Sequence, residues 1–355
     1  MKRVSDRGRG VVCGLTAAAL FGASAPLAKL LLSSVRPLML AGLLYLGAGL
    51  GLSLYRLLCA GRSKHSQPPL QRSDLTQLTG MIVVGGAVGP VLLLFGLQRV
   101  SGVTGSLLLN LEAVFTMLLA VILFGEHLGR KEALAALILI VGASFLGHRA
   151  DVGNSDWLGV FAIAGACLSW GFDNNLTQRL SSRDPTSLVQ IKTLAAGLCT
   201  LGLARATGQL LPSLKITVAA LAVGSVCYGV SIVFDVYALR YLGAAREAAF
   251  FALAPFAGAV LAIPLLGQGP TALDYAAAVL MAIGSILMLR ARHAHLHPHA
   301  QIEHTHEHVH DLHHRHPHPG LDAADEPHSH PHRHSPIEHS HPHVSDIHHR
   351  HPHKL

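Results

Sequence analysis

The sequence predicts an all-α integral membrane protein of ten transmembrane helices, built as two inverted five-helix repeats and followed by a disordered His-rich tail. The composition is the first reason: half of the 355 residues are hydrophobic and 13% are charged, against about 25% charged in soluble domains. The second is a recurrence of apolar runs, and the third is a segment that repeats in the second half. The mean hydropathy of +0.42 understates the apolar part, because 23 of the 26 His lie beyond residue 292.

Apolar stretches of bilayer-crossing length, about 18 to 22 residues, define the predicted helices. We place them at 11–33, 37–58, 75–97, 103–124, 130–148, 157–177, 186–205, 217–239, 244–266 and 272–290. The first run contains Ala23-Ser24-Ala25, which is similar to a signal-peptide cleavage site. Because the apolar run continues past that point and nine more follow, we interpret it as a membrane helix.

Lys and Arg predict the orientation. With the N-terminus inside, sixteen of them fall in inner segments and five in outer loops, which is the bias expected of short cytoplasmic loops. Both termini are therefore predicted to be cytoplasmic, in a protein of the cytoplasmic (inner) membrane. The same placement accounts for the net charge of +7 without a nucleic-acid partner.

Several functional classes are disfavoured. The chain has no G-x-x-x-x-G-K-[ST] phosphate loop, so an ATP-driven pump is not expected, and no nucleophile–base arrangement indicates an enzyme. The five Cys form no C-x-x-C pair and are interpreted as small core residues. Gly47-x-x-x-Gly51 and Gly85-x-x-x-Gly89 favour close helix packing, with a homodimer left open. No cofactor is expected to be required, and the expected partners are membrane lipid and a small cation or small-molecule substrate.

An internal repeat organises the apolar part. The segment 97–126 aligns without a gap on 239–268, and in the same register Gly142 aligns with Gly284. Five spans per copy is an odd number, so the second copy is predicted to be inserted upside down, a plan common in secondary transporters. The predicted units are residues 1–150, residues 151–292 and a tail at 293–355.

Three segments carry a resemblance to a known family: FGASAPLAK at 21–29, LQRVSGVTGSLLLNLEAVFTMLLAVILFGE at 97–126 and YALRYLGAAREAAFFALAPF at 237–256. They are similar to the EamA repeats of the drug/metabolite transporter (DMT) superfamily, over about residues 10 to 291. With its tail, the chain resembles the divalent-metal (nickel) efflux members. The resemblance implies two inverted five-helix units and a central path for small solutes, usually exported. The chain departs from the family at Glu112-Ala113, where the usual Pro is absent, and at Gly267-Gln268, where Gly-Glu is usual.

Ionisable groups inside spans are costly and usually face a cavity or a partner. Lys29 is one of them, and Glu112 is expected near the midplane. Four others are expected in the cytoplasmic third, where they would form the wall of an inward-facing vestibule: Asp173, Lys192, Asp235 and Glu247. The predicted transport path is Glu112, Asp173, Asn174, Asn175, Lys192, Asp235 and Glu247.

The Asp173-Asn174-Asn175 cluster has two interpretations. Carboxylate and amide oxygens can bind a cation, and a carboxylate in an apolar cavity can exchange protons, so that a divalent ion displacing a proton would give antiport. Alternatively, Asp173 and Lys192 form a structural pair that neutralises both. His127, at the end of a span, is interpreted as a solvated interface residue rather than a ligand.

The tail lacks apolar periodicity and is expected to be disordered. Its H-x-H runs are typical of metal-binding segments, and imidazole suits Ni²⁺, Co²⁺, Zn²⁺ and Cu²⁺. We expect many weak, exchanging sites for Ni²⁺, Co²⁺ or Zn²⁺, although a solubilising or pH-responsive tail is an alternative. The candidate ligands are His293, His295, His297, His299, His304, His306, His308, His310, His313, His314, His316, His318, His328, His330, His332, His334, His339, His341 and His343.

Three functional hypotheses follow. The leading one is a proton- or potential-coupled exporter of a divalent transition metal, Ni²⁺ or Co²⁺ before Zn²⁺, whose tail concentrates the ion at the cytoplasmic mouth. The second is an exporter of a small organic metabolite or amino acid, whose tail only senses or buffers metal. The third is a membrane-anchored metal buffer without transport.

Overall fold

The computed structural model describes residues 2–58, 70–124, 128–148, 157–180 and 183–290, together with four segments of the tail. Every regular element among the described residues before the tail is a helix. The helices are α1 Lys2–Leu31, α2 Pro37–Leu58, α3 Leu75–Gly80, α4 Gly89–Arg99, α5 Gly102–Leu108, α6 Leu111–Phe124, α7 Arg130–Gly147, α8 Trp157–Arg179, α9 Pro185–Ala206, α10 Leu214–Val223, α11 Ser231–Leu242, α12 Ala244–Phe251, α13 Ala254–Leu266 and α14 Ala272–Arg290.

Eight stretches of the described residues are long and apolar enough to cross a membrane. They are Gly8–Leu31, Pro37–Leu58, Arg72–Arg99, Gly102–Leu123, Pro185–Ala206, Leu214–Leu239, Arg246–Leu266 and Ala272–Arg290. The other two predicted spans are helices α7 and α8, and they are less apolar. Arg130, Lys131 and Glu132 occupy the first turn of α7, and α8 ends in a polar stretch that begins at Asp173. A multi-pass membrane protein is therefore supported, whereas the count of ten spans stays a prediction.

Two predicted spans are broken, and at matching places. The span predicted at 103–124 divides between α5 and α6 at Leu109-Asn110, and the one at 244–266 divides between α12 and α13 at Ala252-Leu253. The Asn110 side-chain amide donates to the carbonyl of Leu107 at 2.8 Å, a carbonyl that also accepts from the Asn110 backbone N–H at 3.1 Å. Two π-helical segments, Met81–Val88 before α4 and Gly224–Val230 before α11, also occupy matching positions.

The helices of the two halves pack on each other in matched pairs. Helix α2 packs on α9, and α7 packs on α14. Helix α4 packs on α8 as α11 packs on α1, and α6 packs on α8 as α13 packs on α1. These contacts thus have counterparts with the halves exchanged, whereas the packing of α5 on α13 has no equivalent between α12 and α6.

Glycines at the helix crossings show the same reciprocity. A Cβ on Gly142 would lie 3.4 Å from the Ala277 carbonyl oxygen, and one on Gly284 would lie 3.1 Å from the Ala135 carbonyl oxygen. Positions 135 and 277 are separated by 142 residues, as are 142 and 284. The small side chains therefore let α7 and α14 approach closely at equivalent points.

Gly22 provides a test of this close packing. A Cβ at Gly22 in α1 would lie 2.3 Å from the carbonyl oxygen of Ala254, so Gly22→Ala must displace the backbone of α13. We expect a loss of about 1–3 kcal/mol of stability, as for other overpacked sites, measured by thermal unfolding in detergent. The control is Gly202→Ala in α9, where nothing lies within 4 Å; equal melting temperatures for the two variants would contradict the prediction.

The tail differs from the disorder expected of it. Four segments pair as antiparallel strands: β1 His293–His299 with β4 Ile337–His343, and β2 Glu303–His308 with β3 His328–Arg333. The reason is visible in the sequence, because the H-x-H runs have the period of two that characterises a strand. Backbone pairing also satisfies the amide and carbonyl groups of a segment that has no core.

Candidate functional site

One cavity of about 730 Å³ lies at the end of the bundle where α1 begins and α14 ends. Its wall combines apolar side chains with a few polar ones, the mixture typical of small-molecule sites. The polar lining residues are Asn110, Glu112, Thr116, Glu132, Asn174, Asn175, Gln178, Glu247 and Ser285. The apolar lining includes Phe21, Leu109, Met117, Phe251, Pro255 and Leu289.

Glu112 is held in this wall by a contact between two helices. It lies in the first turn of α6, directly after the break, where the positive end of the helix dipole favours a carboxylate. Asn174 of α8 donates to Glu112 Oε1 at 2.8 Å and to Thr116 Oγ1 at 3.3 Å. The break thus places a carboxylate and an amide together on the cavity wall.

Asn175 contributes in a different way. Its amide nitrogen donates to the carbonyl oxygens of Thr116, at 2.9 Å, and of Gly171, at 2.8 Å. The residue is 2% exposed, and one of its bonds joins α8 to α6 while the other stays within α8. Asn175 therefore positions the wall and leaves Asn174 to face the cavity.

Asp173 and Lys192 form a buried ion pair, with Lys192 Nζ 2.6 Å from Asp173 Oδ2. Their side chains are 6% and 13% exposed, and neither belongs to the cavity lining. We expected one vestibule wall made of Asp173, Lys192, Asp235 and Glu247. In the structure, Asp173 and Lys192 lie outside the cavity lining. The helical turn carries Asp173 toward α9 and the π segment, away from the side of α8 that bears Asn174.

The π segment Met81–Val88 shapes the surroundings of this pair. Gly85 carries no side chain, and a Cβ there would lie 2.3 Å from Asp173 Cγ. The Gly85 carbonyl accepts hydrogen bonds from Trp170 Nε1 at 3.0 Å and from Tyr45 Oη at 3.3 Å. Gly85 is thus needed for the close approach of Asp173, and π segments often occur at functional sites.

Asp235 and Glu247 are brought together by the corner between α11 and α12. Gly243, with a φ of 80°, makes this corner, and the two carboxyl groups lie near enough to influence each other electrostatically. Glu247 lines the cavity, whereas Asp235 does not belong to its lining. The sequence placed both residues on the path but did not indicate that they lie near each other.

Several lining residues were missed by the sequence analysis. Glu132 lies in the first turn of α7, where its carboxylate also accepts from the Gly129 amide, and it was not selected although the span predicted at 130–148 contains it. Asn110 and Ser285 share a hydrogen bond of 3.4 Å across the cavity wall. An amide side chain inside an apolar run was the available signal for Asn110.

The opposite end of the bundle is closed by bonds at helix termini. Lys29 donates to the carbonyl oxygens of Leu97, at 2.5 Å, and Val100, at 2.6 Å, so it caps α4 and has no carboxylate partner there. Gln268 accepts from the Gly102 amide at 2.9 Å, and Asp274 accepts from Thr104 at 3.2 Å. These bonds hold α1 on α4 and the start of α5 on the second half.

The predicted metal ligands are partly described. No group of three or more His, Cys, Asp or Glu side chains close enough to hold a metal ion occurs among the described residues. Thirteen of the nineteen candidate histidines lie in β1–β4, where only the backbone is described. Outside the described residues lie His127 and the candidates His310, His313, His314, His316, His318 and His334.

The profile of the EamA-like transporter family matches this chain twice, over residues 8–147 and 157–290. The chain belongs to the EamA-like transporter family. The EamA-like chain is also 29% identical over 294 residues to an uncharacterized transporter of Methanothermobacter thermautotrophicus, covering 79% of this chain and 85% of the relative. A protein of known crystal structure is similar in fold, with a TM-score of 0.56 and 18% identity, over 78% of this chain and 95% of that one.

Family membership and the apolar helices together identify a multi-pass membrane transporter of the DMT type, rather than an enzyme. A transporter of this type acts on a small substrate within the membrane. The 730 Å³ cavity of the EamA-like chain is the candidate place for that substrate.

Proposed function

We propose that this EamA-like transporter exports a small cation from the cytoplasm through the cavity described above. The observation that carries the proposal is the charge of the wall. Its charged residues are Glu112, Glu132 and Glu247, and none of the described lining residues is Lys, Arg or His. Carboxylates in a site of reduced dielectric attract cations and disfavour anions, so the wall selects for positive charge.

Export is part of this proposal, and a cavity at the cytoplasmic end is where an exporter would take up its cargo. The Lys and Arg bias assigns the end of the bundle bearing the cavity to the cytoplasm, and the bonds made by Lys29, Gln268 and Asp274 close the outer end. Ten helices in two inverted repeats are part of this proposal. The double family match, the paired helix breaks and the reciprocal packing of α7 and α14 support it.

The cargo that we propose is a divalent transition-metal ion, Ni²⁺ or Co²⁺ before Zn²⁺, collected by the tail. The strand register of the tail supports its proposed role in collecting the metal ion. It sets His opposite His at six positions: His293 and His343, His295 and His341, His297 and His339, His304 and His332, His306 and His330, and His308 and His328. Directly opposite residues are the nearest cross-strand neighbours, and imidazole is a preferred ligand of these ions.

A second candidate cargo is a small organic cation such as an amine. The observation that favours it is the apolar part of the wall, where Phe21, Met117 and Phe251 flank the carboxylates. A volume of about 730 Å³ is also within the range of roughly 300–1,000 Å³ for organic ligands. In this case the tail would regulate transport in response to metal.

Efflux of labelled Ni²⁺ from loaded cells tests the proposal, with the full-length chain compared with a chain ending at Arg292. We expect both chains to accelerate the loss of Ni²⁺. At concentrations well below saturation, we expect the shortened chain to be slower, on the order of tenfold, because the tail no longer raises the local concentration of the ion.

The alternatives give different results. If neither chain accelerates Ni²⁺ loss but both accelerate loss of a fluorescent organic cation, the cargo is organic. If metal tolerance disappears with the tail and no cargo moves with either chain, the protein is a metal buffer and the proposed export is wrong.

A further inference from the structure

We infer that Arg246 and Glu132 form the cytoplasmic gate of the transporter, an ion pair that is made when this end of the bundle closes over the cavity. The inference rests on the proposed function and its orientation. It adds the residues that close the inner end and that displace the cargo from one carboxylate of the wall. It is drawn from the closed outer end, where the equivalent residues of the other half, Thr104 and Asp274, are already joined.

The equivalence of the two pairs is visible in the sequence and at the helix ends. With the shift of 142 residues, Arg246 corresponds to Thr104, and by the same shift Glu132 corresponds to Asp274. Thr104 and Arg246 are each the third residue of a short helix, α5 or α12. Glu132 and Asp274 are each the third residue of a longer helix, α7 or α14. Each of these two carboxylates also accepts a hydrogen bond from the backbone N–H three residues before it.

The two pairs differ in what they contact. At the outer end, the Thr104 hydroxyl donates to Asp274 Oδ1 at 3.2 Å, and the two residues are 1% and 2% exposed. At the cytoplasmic end, Arg246 is exposed and Glu132 lines the cavity. Among the ion pairs of the described residues, none joins Arg246 to Glu132. The same positions are thus joined and buried at one end, and separate and accessible at the other.

Helix packing differs between the two ends in the same sense. At the outer end α5 covers α13: a Cβ on Gly102 would lie 3.1 Å from Ala262 Cβ, and Ala262 is fully buried. The residue of α6 that corresponds to Ala262 is Ala120, and it lines the cavity. Movement of α12 onto this part of α6 would therefore fill the mouth of the cavity and bring Arg246 to Glu132 at the start of α7.

The presence of Arg in place of Thr gives the inner gate a charge that the outer one lacks. While the cavity is open, Arg246 is exposed, and its attraction for anionic groups is screened by salt. When the end closes, a guanidinium and a carboxylate make a charge-assisted pair, which avoids an unpaired charge in a closed interface. Arg246 then takes the place of the cargo at Glu132, so closure itself weakens the attraction of the wall for the cation.

A double-mutant cycle tests the pair, with the purified full-length protein in proteoliposomes and labelled Ni²⁺ as cargo. We expect Arg246→Glu to slow transport by about tenfold or more, because two like charges brought together oppose closure. When Glu132→Gln is already present, Arg246→Glu should slow transport by about threefold or less, because the carboxylate that it would repel is gone. Equal effects of Arg246→Glu with and without Glu132→Gln would overturn the inference.

Lys131→Glu is the matched control, a reversal of the same charge at the neighbouring exposed position of α7. Consecutive residues of a helix do not face each other, so Lys131→Glu should have the same small effect with and without Glu132→Gln. A dependence on Glu132 as large as that of Arg246→Glu would overturn the inference, because it would arise from the charge of this end of the bundle and not from a specific pair.

Cross-linking provides a readout that does not depend on the cargo. In Arg246→Lys, a water-soluble carbodiimide should join the introduced amine to the Glu132 carboxylate as an amide with loss of water, and mass spectrometry would detect the joined peptides. The link should be absent when Glu132→Gln is added. Absence of the link in Arg246→Lys protein that transports would overturn the inference. A link in protein that moves no Ni²⁺ would support the gate and count instead against the proposed metal.

Discussion

Replacing Lys192 with Met is expected to destabilise the protein by about 3–5 kcal/mol, because removal of one partner leaves a buried charge uncompensated. Asp173 is 4% exposed, and its Oδ1 has no hydrogen-bond partner in the described part of the chain. Its Oδ2 depends on Lys192, at 2.6 Å. Thermal or denaturant unfolding in detergent measures the effect.

The double variant Asp173→Asn with Lys192→Met is the control. It removes both charges and keeps similar volumes, so most of the lost stability should return. Recovery of stability together with transport would assign the pair a structural role. Recovery of stability without transport would show that the charges also serve the path, and full stability of Lys192→Met alone would contradict the prediction.

Glu112→Gln is expected to reduce cation export by about ten- to hundredfold. A charge-assisted contact contributes roughly 1.5–3 kcal/mol, and each 1.4 kcal/mol corresponds to a factor of ten. The amide has the same shape and keeps an oxygen that can accept from Asn174, so the fold should be preserved. Initial rates in proteoliposomes over a range of cargo concentrations measure the loss.

Asn174→Ala distinguishes the two partners. If Glu112 binds the cation and Asn174 only orients it, this variant should weaken transport less than Glu112→Gln does. An unchanged rate in Glu112→Gln, with normal folding, would remove Glu112 from the path and leave Glu247 and Glu132 as the cation-attracting groups of the wall.

The membrane part could be predicted from the sequence because hydropathy and repetition are properties of whole segments. The helix breaks could not, since Leu109-Asn110 and Ala252-Leu253 interrupt apolar runs without a glycine or proline at the break itself. Pro255 lies three residues past the start of the second break, and Asn110 is a polar residue within the first. Neither residue by itself predicts a helix break, because Pro and Asn also occur within continuous membrane helices.

The site was predictable in its composition but not in its grouping. Glu112, Asn174 and Glu247 were chosen because ionisable or amide groups in apolar spans need partners. Which partner each one finds depends on the rotation of its helix about its own axis, and the hydropathy of uniformly apolar helices does not reveal that rotation. Adjacent residues Asp173 and Asn174 consequently face different neighbours, an ion pair in one case and the cavity in the other.

The internal duplication of the chain has a consequence for the transport of a cation across the membrane. The copies align in backbone but differ in charge: with the shift of 142 residues, Glu112 corresponds to Ala254 and Glu247 corresponds to Gly105, whereas Glu132 corresponds to Asp274. If the halves exchange conformations as the transporter opens to the other side, the opposite vestibule has one carboxylate where the present cavity has three. A cation would then pass from a more acidic chamber to a less acidic one, so the difference between the two halves would itself make release easier than capture on that side.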